Sequence, residues 1–443
     1  MADIAALVSG WREEGIRWVR FEAPDMHGTA RSKLIPIEEV PRYAAEGLNV
    51  YGGNLVLDSR SDVVGGSLYH EEINYADQLY HPDPDTAAVV PWADRTARLI
   101  CNSSWYDGTE MEAAPRNVLR RVLDRLAAAG HEAFMGQENE FYLLDPETLQ
   151  PAFFDGYHIF NTLRNEYHPV IRDILEHLPA FGLDIITANC EYGPSQWEIN
   201  HGPKAGLAAA DATYTFKNSV KELAHRHGLL ATFMSKPFSD AAGCGAHTHV
   251  SLRDPDSGRN MFADEHDALG LSQLARHFIA GNLAHASAVY ALLAPTVNCL
   301  KRRRRHTFSP TNISWGVEDR SAMLRVKLGS VESRHVEHRA PTGLSNPYLV
   351  MAAVLAAGLL GIENKLDPGA PSEAGVPAED DPRFSALPTH LHAGLDALEQ
   401  ADDLRELLGD EFVRIYTTVR RYELARFEDH VTDWEREEYA RVY

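Results

Sequence analysis

The sequence contains very little cysteine, with four residues in 443: Cys101, Cys190, Cys244 and Cys299. They are far apart and form no Cys-x-x-Cys pair, which argues against a disulfide framework and against a cysteine-based zinc site. No apolar run reaches the roughly 20 residues that cross a bilayer. The N-terminus lacks a basic start followed by an apolar stretch, so we expect no signal peptide. Together these absences predict a cytoplasmic protein.

Positive charge is also scarce. The chain has 42 Lys and Arg against 64 Asp and Glu, which gives a formal net charge of −22. Such a balance repels nucleic acid and anionic membranes and suits a protein that binds cations. The basic run 301–305 resembles a nuclear-localisation or RNA-binding patch, but the acidic chain around it disfavours both. The length predicts two domains, or three.

The two ends of the chain differ in pattern. Residues 16–22 are extended, turn at Asp25–Gly28 and become extended again, so the first hundred residues read as a small β domain. From Ala114 onwards helical and extended patterns mix. We expect helices near 115–129, 206–226, 271–292, 346–365 and 390–443, strands near 131–145, 229–237 and 245–252, and a loop at 367–388. The pattern predicts an α+β fold with domains at 1–108 and 109–443.

Four glutamates stand in suggestive pairs. Glu138 and Glu140 lie two residues apart, so a strand places both carboxylates on one face, about 7 Å from each other. Glu191 and Glu198 bracket a Gly-Pro turn that can aim both at one point. The alternatives are an exposed edge strand for the first pair and a surface turn for the second.

Histidines and arginines complete the set. His247 and His249 share one face of a strand, where two core histidines are the alternative to ligands. Arginines at 302, 320, 325 and 339 suit phosphate and carboxylate, and Glu337 stands beside the last. Oxygen ligands with few imidazoles favour Mg²⁺ or Mn²⁺. Two such ions flanked by arginines are typical of phosphoryl transfer.

The order of these motifs resembles the glutamine synthetase superfamily over essentially the whole chain. The early turn region Phe21–Pro36 and the segment 75–92 are similar to its first strands. The later motifs follow with family spacing, at 138–144, 190–200, 236–252, 312–326, 336–349 and 427–439. One such motif is a weak indication, whereas the whole series in this order is a strong one. The resemblance implies a β-grasp-like first domain and a larger catalytic domain with a curved antiparallel sheet flanked by helices.

The resemblance also implies roles for residues of this chain. One metal is held by Glu140, Glu191 and Glu198, and a second, on the ATP phosphates, by Glu138, His247 and Glu337. The catalytic and substrate-binding residues are Arg302, Arg320, Arg339 and the backbone of Gly243. The nucleotide-side residues are His249, Ser251 and Arg325.

The implied reaction has two steps. ATP phosphorylates the γ-carboxylate of glutamate, and an amine then displaces the phosphate to form an amide. Two or three Mg²⁺ or Mn²⁺ ions per site are implied. So is a homo-oligomer, typically a dodecamer of two stacked hexameric rings with active sites between subunits. No nucleic acid or membrane partner is expected.

The amine side departs from the family pattern. Phe308 stands where the family has a glutamate that takes a proton from ammonium, and residues 50–58 lack the matching ammonium-site acid. Phe308 and Trp197 therefore predict a pocket for an organic amine. Ala242 replaces an asparagine that holds glutamate, so an analogue of glutamate is an alternative substrate. The rival functions are a true glutamine synthetase and an inactive structural or regulatory relative, which the complete set of metal ligands disfavours.

Overall fold

Two β-sheets organise the protein in a computed structural model that describes residues 3–154, 159–165 and 168–443. In the described N-terminal part, six strands form one sheet in the order β2-β1-β6-β4-β3, with β5 paired to β6. The strands are β1 Trp18–Pro24, β2 Ala30–Pro36, β3 Leu48–Tyr51, β4 Asp77–Pro82, β5 Ala88–Val89 and β6 Thr96–Ser104. Pairing is antiparallel except between β1 and β6. Helices α1 (Ile4–Glu13) and α2 (Val40–Glu46) pack against this sheet and share its apolar core.

The second sheet is larger and nearly all antiparallel. Its described strands run in the order β13-β14-β15-β12-β7-β9-β8, and β10 and β11 pair with β7. They are β7 Glu132–Leu144, β8 Ile185–Cys190, β9 Gln196–His201, β10 Lys204–Ala205, β11 Leu230–Thr232, β12 Ala246–Arg253, β13 Trp315–Val317, β14 Leu324–Lys327 and β15 His335–His338. The long central strand β7 contacts four others, so it fixes the frame of the sheet.

The other described helices lie in the same part of the chain. They are α3 Pro115–Ala128, α4 Thr162–Asn165, α5 Pro169–Ala180, α6 Leu207–Arg226, α7 Gln273–Ala284, α8 Ala286–Leu293, α9 Val297–Arg302, α10 Pro347–Glu363, α11 Leu391–Gln400, α12 Asp402–Leu408, α13 Asp410–Glu428 and α14 Asp433–Tyr439. Among them, α3, α5 and α6 pack directly against this sheet. Helix α10 is buried from Pro347 to Gly361 because it is apolar on all sides. None of the helices in the described residues is long and apolar enough to cross a membrane.

Strand alternation divides the sheet into an apolar and a polar face. On β7, Phe141 and Leu143 point into a core shared with Trp197 and Ile199 of β9 and with helices α5 and α6. The residues between them point the other way. The helix-covered face therefore holds the sheet together, and the opposite face is left for polar side chains.

The predicted α+β class is confirmed. The side chain of Asn346 caps α10 by accepting from Tyr348 N, as the Asn-Pro pattern predicts. The helix expected over 271–292 is interrupted at His285 and forms α7 and α8. Segment 367–388 is a loop with one short 3₁₀ turn, Ala378–Asp380. The division into domains at 108/109 stays a prediction.

Candidate active site

The polar face of the large sheet collects the predicted glutamates and histidines. Strand register places Glu138 opposite His247 across β7 and β12, and His249 opposite Glu337 across β12 and β15. On the other side of β7, Glu140 lies opposite Glu198 of β9. Because side chains alternate with a period of two, all of these point to one face.

The side chains of three candidate metal ligands lie close together. Ligand atoms of Glu138, His247 and Glu337 all lie within 4.8 Å of one another. The His247 Nδ1 atom is 3.3 Å from a Glu138 oxygen and 3.6 Å from a Glu337 oxygen. His249 Nε2 lies 3.0 Å from the other Glu138 oxygen. Three different strands therefore deliver their donors to one point.

The second group of carboxylates is oriented by amides. Glu140 accepts from the Gly245 N–H at 3.0 Å and from Gln196 Nε2 at 3.2 Å. Asn189 Nδ2 donates to Glu191 at 3.1 Å, and Asn200 Nδ2 donates to Glu198 at 2.9 Å. Such amides fix the direction of a carboxylate without neutralising it.

The glycines before β12 keep the two groups close. A Cβ on Gly245 would lie 2.8 Å from Arg302 Nη2, 2.9 Å from His247 Nε2 and 3.1 Å from a Glu140 oxygen. A Cβ on Gly243 would lie 2.6 Å from both Arg302 Cγ and a backbone oxygen. Only glycine leaves room at these points, so backbone and ligands can approach each other.

The electrostatics of the two groups differ. Burial, followed by repulsion from Glu140, raises the pKa of Glu191. Burial and the charges of Glu138 and Glu140 do the same to the pKa of Glu198. Burial also acts to raise the pKa of Glu337, but the charges of His247 and Arg339 outweigh it and bring the value to about 2. The carboxyls of Glu191 and Glu198 therefore face other carboxylates without the cationic neighbours that Glu337 has.

These donors fit divalent cations. Glu140, Glu191 and Glu198 offer only hard oxygen atoms, and the raised carboxyl pKa values of Glu191 and Glu198 indicate a missing positive charge. Glu138, His247 and Glu337 add one imidazole to two carboxylates in a converged cluster. Both sets match the ligand preferences of Mg²⁺ and Mn²⁺.

The arginines predicted for the site fall into two classes. Arg302 Nη2 lies 3.3 Å from His247 Nε2, and Arg339 pairs with Glu337. Arg325 donates to Glu337 at 3.0 Å and to Glu318 at 2.6 Å, so it contacts the cluster itself. Arg320 is exposed in the turn before β14, and no contact with the cluster is seen among the described residues.

A cavity of about 470 Å³ opens beside the three-ligand cluster. Its wall includes Glu138, His249 and Ser251, which ties it directly to the cluster. His335, also in the wall, lies 2.9 Å from His249, and burial together with that neighbour lowers the pKa of His335 to about 4. The cavity is therefore continuous with a candidate metal position and large enough for part of a nucleotide.

The structure contradicts one of the two aromatic residues predicted for an amine pocket. Trp197 is 1% exposed and packs in the core on the helix-covered face, because it alternates with Gln196 and Glu198 on β9. The prediction that Trp197 lines the pocket is wrong. Phe308 is 56% exposed, and its carbonyl accepts from Arg339 at 3.2 Å. It lies in the segment 303–310, called here the Phe308 loop.

Several residues that orient the site were missed by sequence reasoning. Gln196 donates to both Glu140 and the carbonyl of Gly243, at 3.2 and 3.0 Å. Asn189 and Asn200 hold the other two carboxylates. The alternation of β9, which puts 196, 198 and 200 on one face, was the available signal.

The chain is similar to known proteins in both sequence and fold. Residues 112–439 match the glutamine synthetase catalytic domain family. The chain belongs to the glutamine synthetase family. Glutamine synthetase of Halobacterium salinarum is 33% identical over 99% of this chain and 96% of its own. The γ-glutamylethanolamide synthetase GlnA4 of Streptomyces coelicolor is 34% identical over 93% and 90%. A GmaS structure with ADP superposes with a TM-score of 0.88 at 31% identity, covering 99% of this chain and 100% of that one.

Membership in the glutamine synthetase family defines the class of chemistry. Its members are ATP-dependent ligases that form γ-glutamyl bonds, and this protein is such an enzyme. They use divalent metals and small-molecule substrates and are typically oligomeric. The fold described above is the glutamine synthetase fold. The residues on the polar face of the large sheet are thereby candidates for the metal and nucleotide sites of that reaction.

Proposed function

We propose that the protein uses ATP to join the γ-carboxylate of glutamate to an organic amine rather than to ammonia. The observation that carries this is Phe308, an exposed residue whose backbone carbonyl accepts a hydrogen bond from Arg339, the partner of Glu337. The resemblance to glutamine synthetases puts a glutamate at this position. An apolar ring there favours an alkyl or aromatic amine over ammonium, which needs nearby negative charge.

A named relative supports the same direction. The relative from Streptomyces coelicolor is a γ-glutamylethanolamide synthetase, and it is as similar to this chain as the glutamine synthetases are. Family members thus exist at this level of identity that accept an organic amine. The amine used by this protein need not be ethanolamine, because we expect the residues of its own Phe308 loop to determine which amine fits.

The first step is activation of a carboxylate. An oxygen of the γ-carboxylate attacks the terminal phosphorus of ATP, the bond to the bridging oxygen breaks, and ADP leaves. We assign the cavity beside His249 and Ser251 to ATP and the backbone of Gly243 to glutamate. Arg302, Arg320 and Arg339 bind the negative charges of the substrate carboxylates and of the transferred phosphate.

Two sets of residues would hold the metal ions of this step. We assign one position to Glu140, Glu191 and Glu198 and a second to Glu138, His247 and Glu337. Mg²⁺ or Mn²⁺ bound there would neutralise charge on the phosphates. Arg325, assigned to the nucleotide side, also donates to Glu337 and would orient this ligand of the second position.

The second step forms the amide. The amine nitrogen attacks the acyl carbon of the γ-glutamyl phosphate, phosphate departs with the former carboxylate–phosphorus oxygen, and the nitrogen loses a proton. The acyl phosphate must be kept from water, or it hydrolyses. The ring of Phe308 suits this role, since an apolar cover excludes water and favours an apolar amine.

The assembly follows the family pattern. We propose two stacked hexameric rings, twelve subunits in all, with each active site lying between neighbouring subunits. Residues 50–58 of the N-terminal sheet would then face a neighbour's site. Sedimentation or mass photometry of the purified protein would give a single species near twelve times 49.3 kDa.

The function is tested with a panel of amines. Purified enzyme, glutamate, ATP and Mg²⁺ or Mn²⁺ are combined with ammonia, ethanolamine, putrescine, isopropylamine or aniline. ADP release and the mass of the amide are measured. We expect an organic amine to give the highest kcat/KM. Best turnover with ammonia would overturn the proposal.

A true glutamine synthetase is the second candidate, because many relatives at 33–35% identity carry that name. Expression in a glutamine auxotroph separates the two. Growth without added glutamine would favour ammonia as the substrate, and failure to grow with good expression would favour an organic amine.

A further inference from the structure

A nearly buried glutamate outside the metal cluster holds the Phe308 loop. Glu379 lies on the short turn Ala378–Asp380, and its side chain is 7% exposed. Both of its oxygens accept from the backbone N–H of His306, at 2.9 and 3.0 Å, and His306 Nδ1 lies 3.2 Å from one of them. A carboxylate engaged in this way by a main-chain donor fixes the chain there, two residues before Phe308.

The backbone held by Glu379 is in an uncommon conformation. His306 and Phe308 have φ values of 61° and 55°, in the left-handed region. Bulky residues adopt this region at a cost of roughly 1–3 kcal/mol each, and they stay there only where surrounding contacts hold them. The hydrogen bonds from His306 N to Glu379 are among the contacts that hold this backbone conformation.

Other contacts at the loop are weaker or lie at its ends. Arg305 pairs with Asp380, but its side chain is 60% exposed and such pairs contribute little. Arg304 donates to the carbonyl of Ser239 at 3.0 Å. At the far end Arg339 binds the Phe308 carbonyl. Glu379 and Arg339 are thus both nearly buried charged partners of the loop, and Glu379 is the one of them that holds His306.

The segment 372–387, called here the brace, contacts the chain on both sides of Arg320. Its Ser385 carbonyl accepts from Ile313 N at 2.8 Å, and its Leu387 N donates to Thr311 O at 3.1 Å. Ala378 N donates to the hydroxyl of Ser321, next to Arg320, at 2.7 Å. These hydrogen bonds anchor the brace to the neighbouring chain and thereby fix the position of Glu379.

We propose that Glu379 is a positioning residue that sets the amine-binding half of the site, by fixing His306 so that the Phe308 ring stands over the incoming amine. The inference rests on the proposed function to the extent that Phe308 borders the amine. Glu379 touches no substrate. It acts through the backbone of the Phe308 loop, so its loss affects the amine more than ATP or glutamate, whose assigned residues lie outside that loop.

Kinetics of two Glu379 variants test this role. We expect Glu379→Ala to raise KM for the best amine about ten-fold, the effect of losing about one charge-assisted hydrogen bond, with KM for ATP and glutamate changed by less than about two-fold. Glu379→Gln keeps an acceptor and should recover most of the affinity. Glu373→Ala, an exposed carboxylate of the same brace, is the matched control and should match wild type.

A second measurement needs no substrate. The loop begins with Arg303, Arg304 and Arg305, so trypsin reports whether it opens. Cleavage at these sites, mapped by mass spectrometry, should be about ten-fold faster in Glu379→Ala and unchanged in Glu373→Ala. Circular dichroism and oligomer size confirm that each variant is folded.

The two readouts separate the two proposals. Faster cleavage with a raised amine KM supports the role of Glu379. Unchanged cleavage, or equal increases in KM for all three substrates, would overturn it, and so would faster cleavage with an unchanged amine KM. If wild type prefers ammonia but Glu379→Ala raises KM for ammonia and speeds cleavage, the organic-amine function fails and the positioning role stands.

Discussion

The two proposed halves of the site, one for metal and nucleotide and one for the amine, rest on different kinds of structure. The metal and nucleotide half is carried by paired strands, whose register places Glu138 opposite His247 and Glu140 opposite Glu198. The amine half is carried by the Phe308 loop, which is fixed by side chains such as Glu379 and Arg339. A loop residue can be exchanged without moving a strand ligand. The substrate can therefore change while the phosphoryl-transfer chemistry stays the same.

The largest effect is expected in the strand half. Glu337 is 1% exposed and receives hydrogen bonds from Arg325 and Arg339 beside His247. Glu337→Gln removes the charge these groups are arranged around, and we expect kcat/KM to fall by about a hundred-fold or more for every amine. ADP release and Mn²⁺ affinity by calorimetry measure the loss.

The control for this variant is Glu318→Gln. Glu318 also pairs with Arg325 but is 45% exposed at its side chain, so its removal should cost little. Equal losses in both variants would mean that Arg325, rather than the metal cluster, is the sensitive part. A Glu337→Gln enzyme with normal Mn²⁺ affinity would contradict the assignment of Glu337 as a ligand.

The second largest change in activity is expected from the Phe308 loop. Phe308→Glu restores the carboxylate that the resemblance to glutamine synthetases puts at this position. We expect the ratio of kcat/KM for ammonia to that for the organic amine to rise about ten- to a hundred-fold, because a nearby charge favours ammonium and penalises an apolar group. Competition between the two nucleophiles, read as product ratio by mass spectrometry, is the measurement.

Phe308→Leu is the matched change, since it stays apolar. It should keep the preference for organic amines while altering which of them is best. If Phe308→Glu and Phe308→Leu shift the product ratio equally, the size of the side chain rather than its charge decides the preference. The proposal that the apolar character of Phe308 selects an organic amine would then be wrong.

The strand half was also the half that could be predicted from sequence. Alternation alone places Glu138 with Glu140, and His247 with His249, on one face of their strands. The same rule, applied to β9, excludes Trp197 from the pocket, because it puts this ring on the face opposite to Glu198. A single sequence does not show how strands that are far apart in the chain pair with each other. The prediction that Glu337 lies beside Glu138 therefore depended on the resemblance to the glutamine synthetase superfamily.

The loop half was less predictable for a physical reason. Glu379 accepts a hydrogen bond from the backbone N–H of His306, a residue far away in the chain. Because the donor is a backbone group, the identity of the residue at position 306 gives no sign of this contact. Gln196 was missed although it sits between Glu191 and Glu198, because a neutral amide that orients a carboxylate has no pattern of its own. Helix α1 was missed as well, since its 10 residues give only a short periodic pattern.

Gln196 provides a test of intermediate size. Its amide donates to Glu140 and to Gly243 O, so Gln196→Ala leaves the ligand in place but free to turn. Loss of such an orienting group costs about ten- to a hundred-fold in metal affinity. We expect activity to recover as Mn²⁺ is raised. No recovery, with unchanged Mn²⁺ affinity, would place Gln196 in substrate binding instead.

The smallest effect concerns the support of the strand half. Lys217 on α6 donates to the carbonyls of Gly343 and Ser345 at 2.8 and 2.9 Å, in the chain segment that contacts Cys244. Burial, reinforced by Lys221, lowers the pKa of Lys217 from 10.5 to about 7. Above pH 7 the folded protein thus binds fewer protons here than the unfolded chain, whose lysine holds its proton up to about pH 10.4.

Stability therefore rises with pH through this group, from pH 7 towards the unfolded value. Relative to Lys217→Met, the wild-type free energy of unfolding should increase by up to about 1.4 kcal/mol per pH unit between pH 7 and 9. Guanidinium unfolding at one protein concentration measures it, and exposed Lys365→Met should run parallel to wild type. Parallel curves for Lys217→Met as well would mean that Lys217 stays charged, held by its two carbonyls. The strand half would then be anchored by a buried cation, which makes it still more resistant to change than the loop.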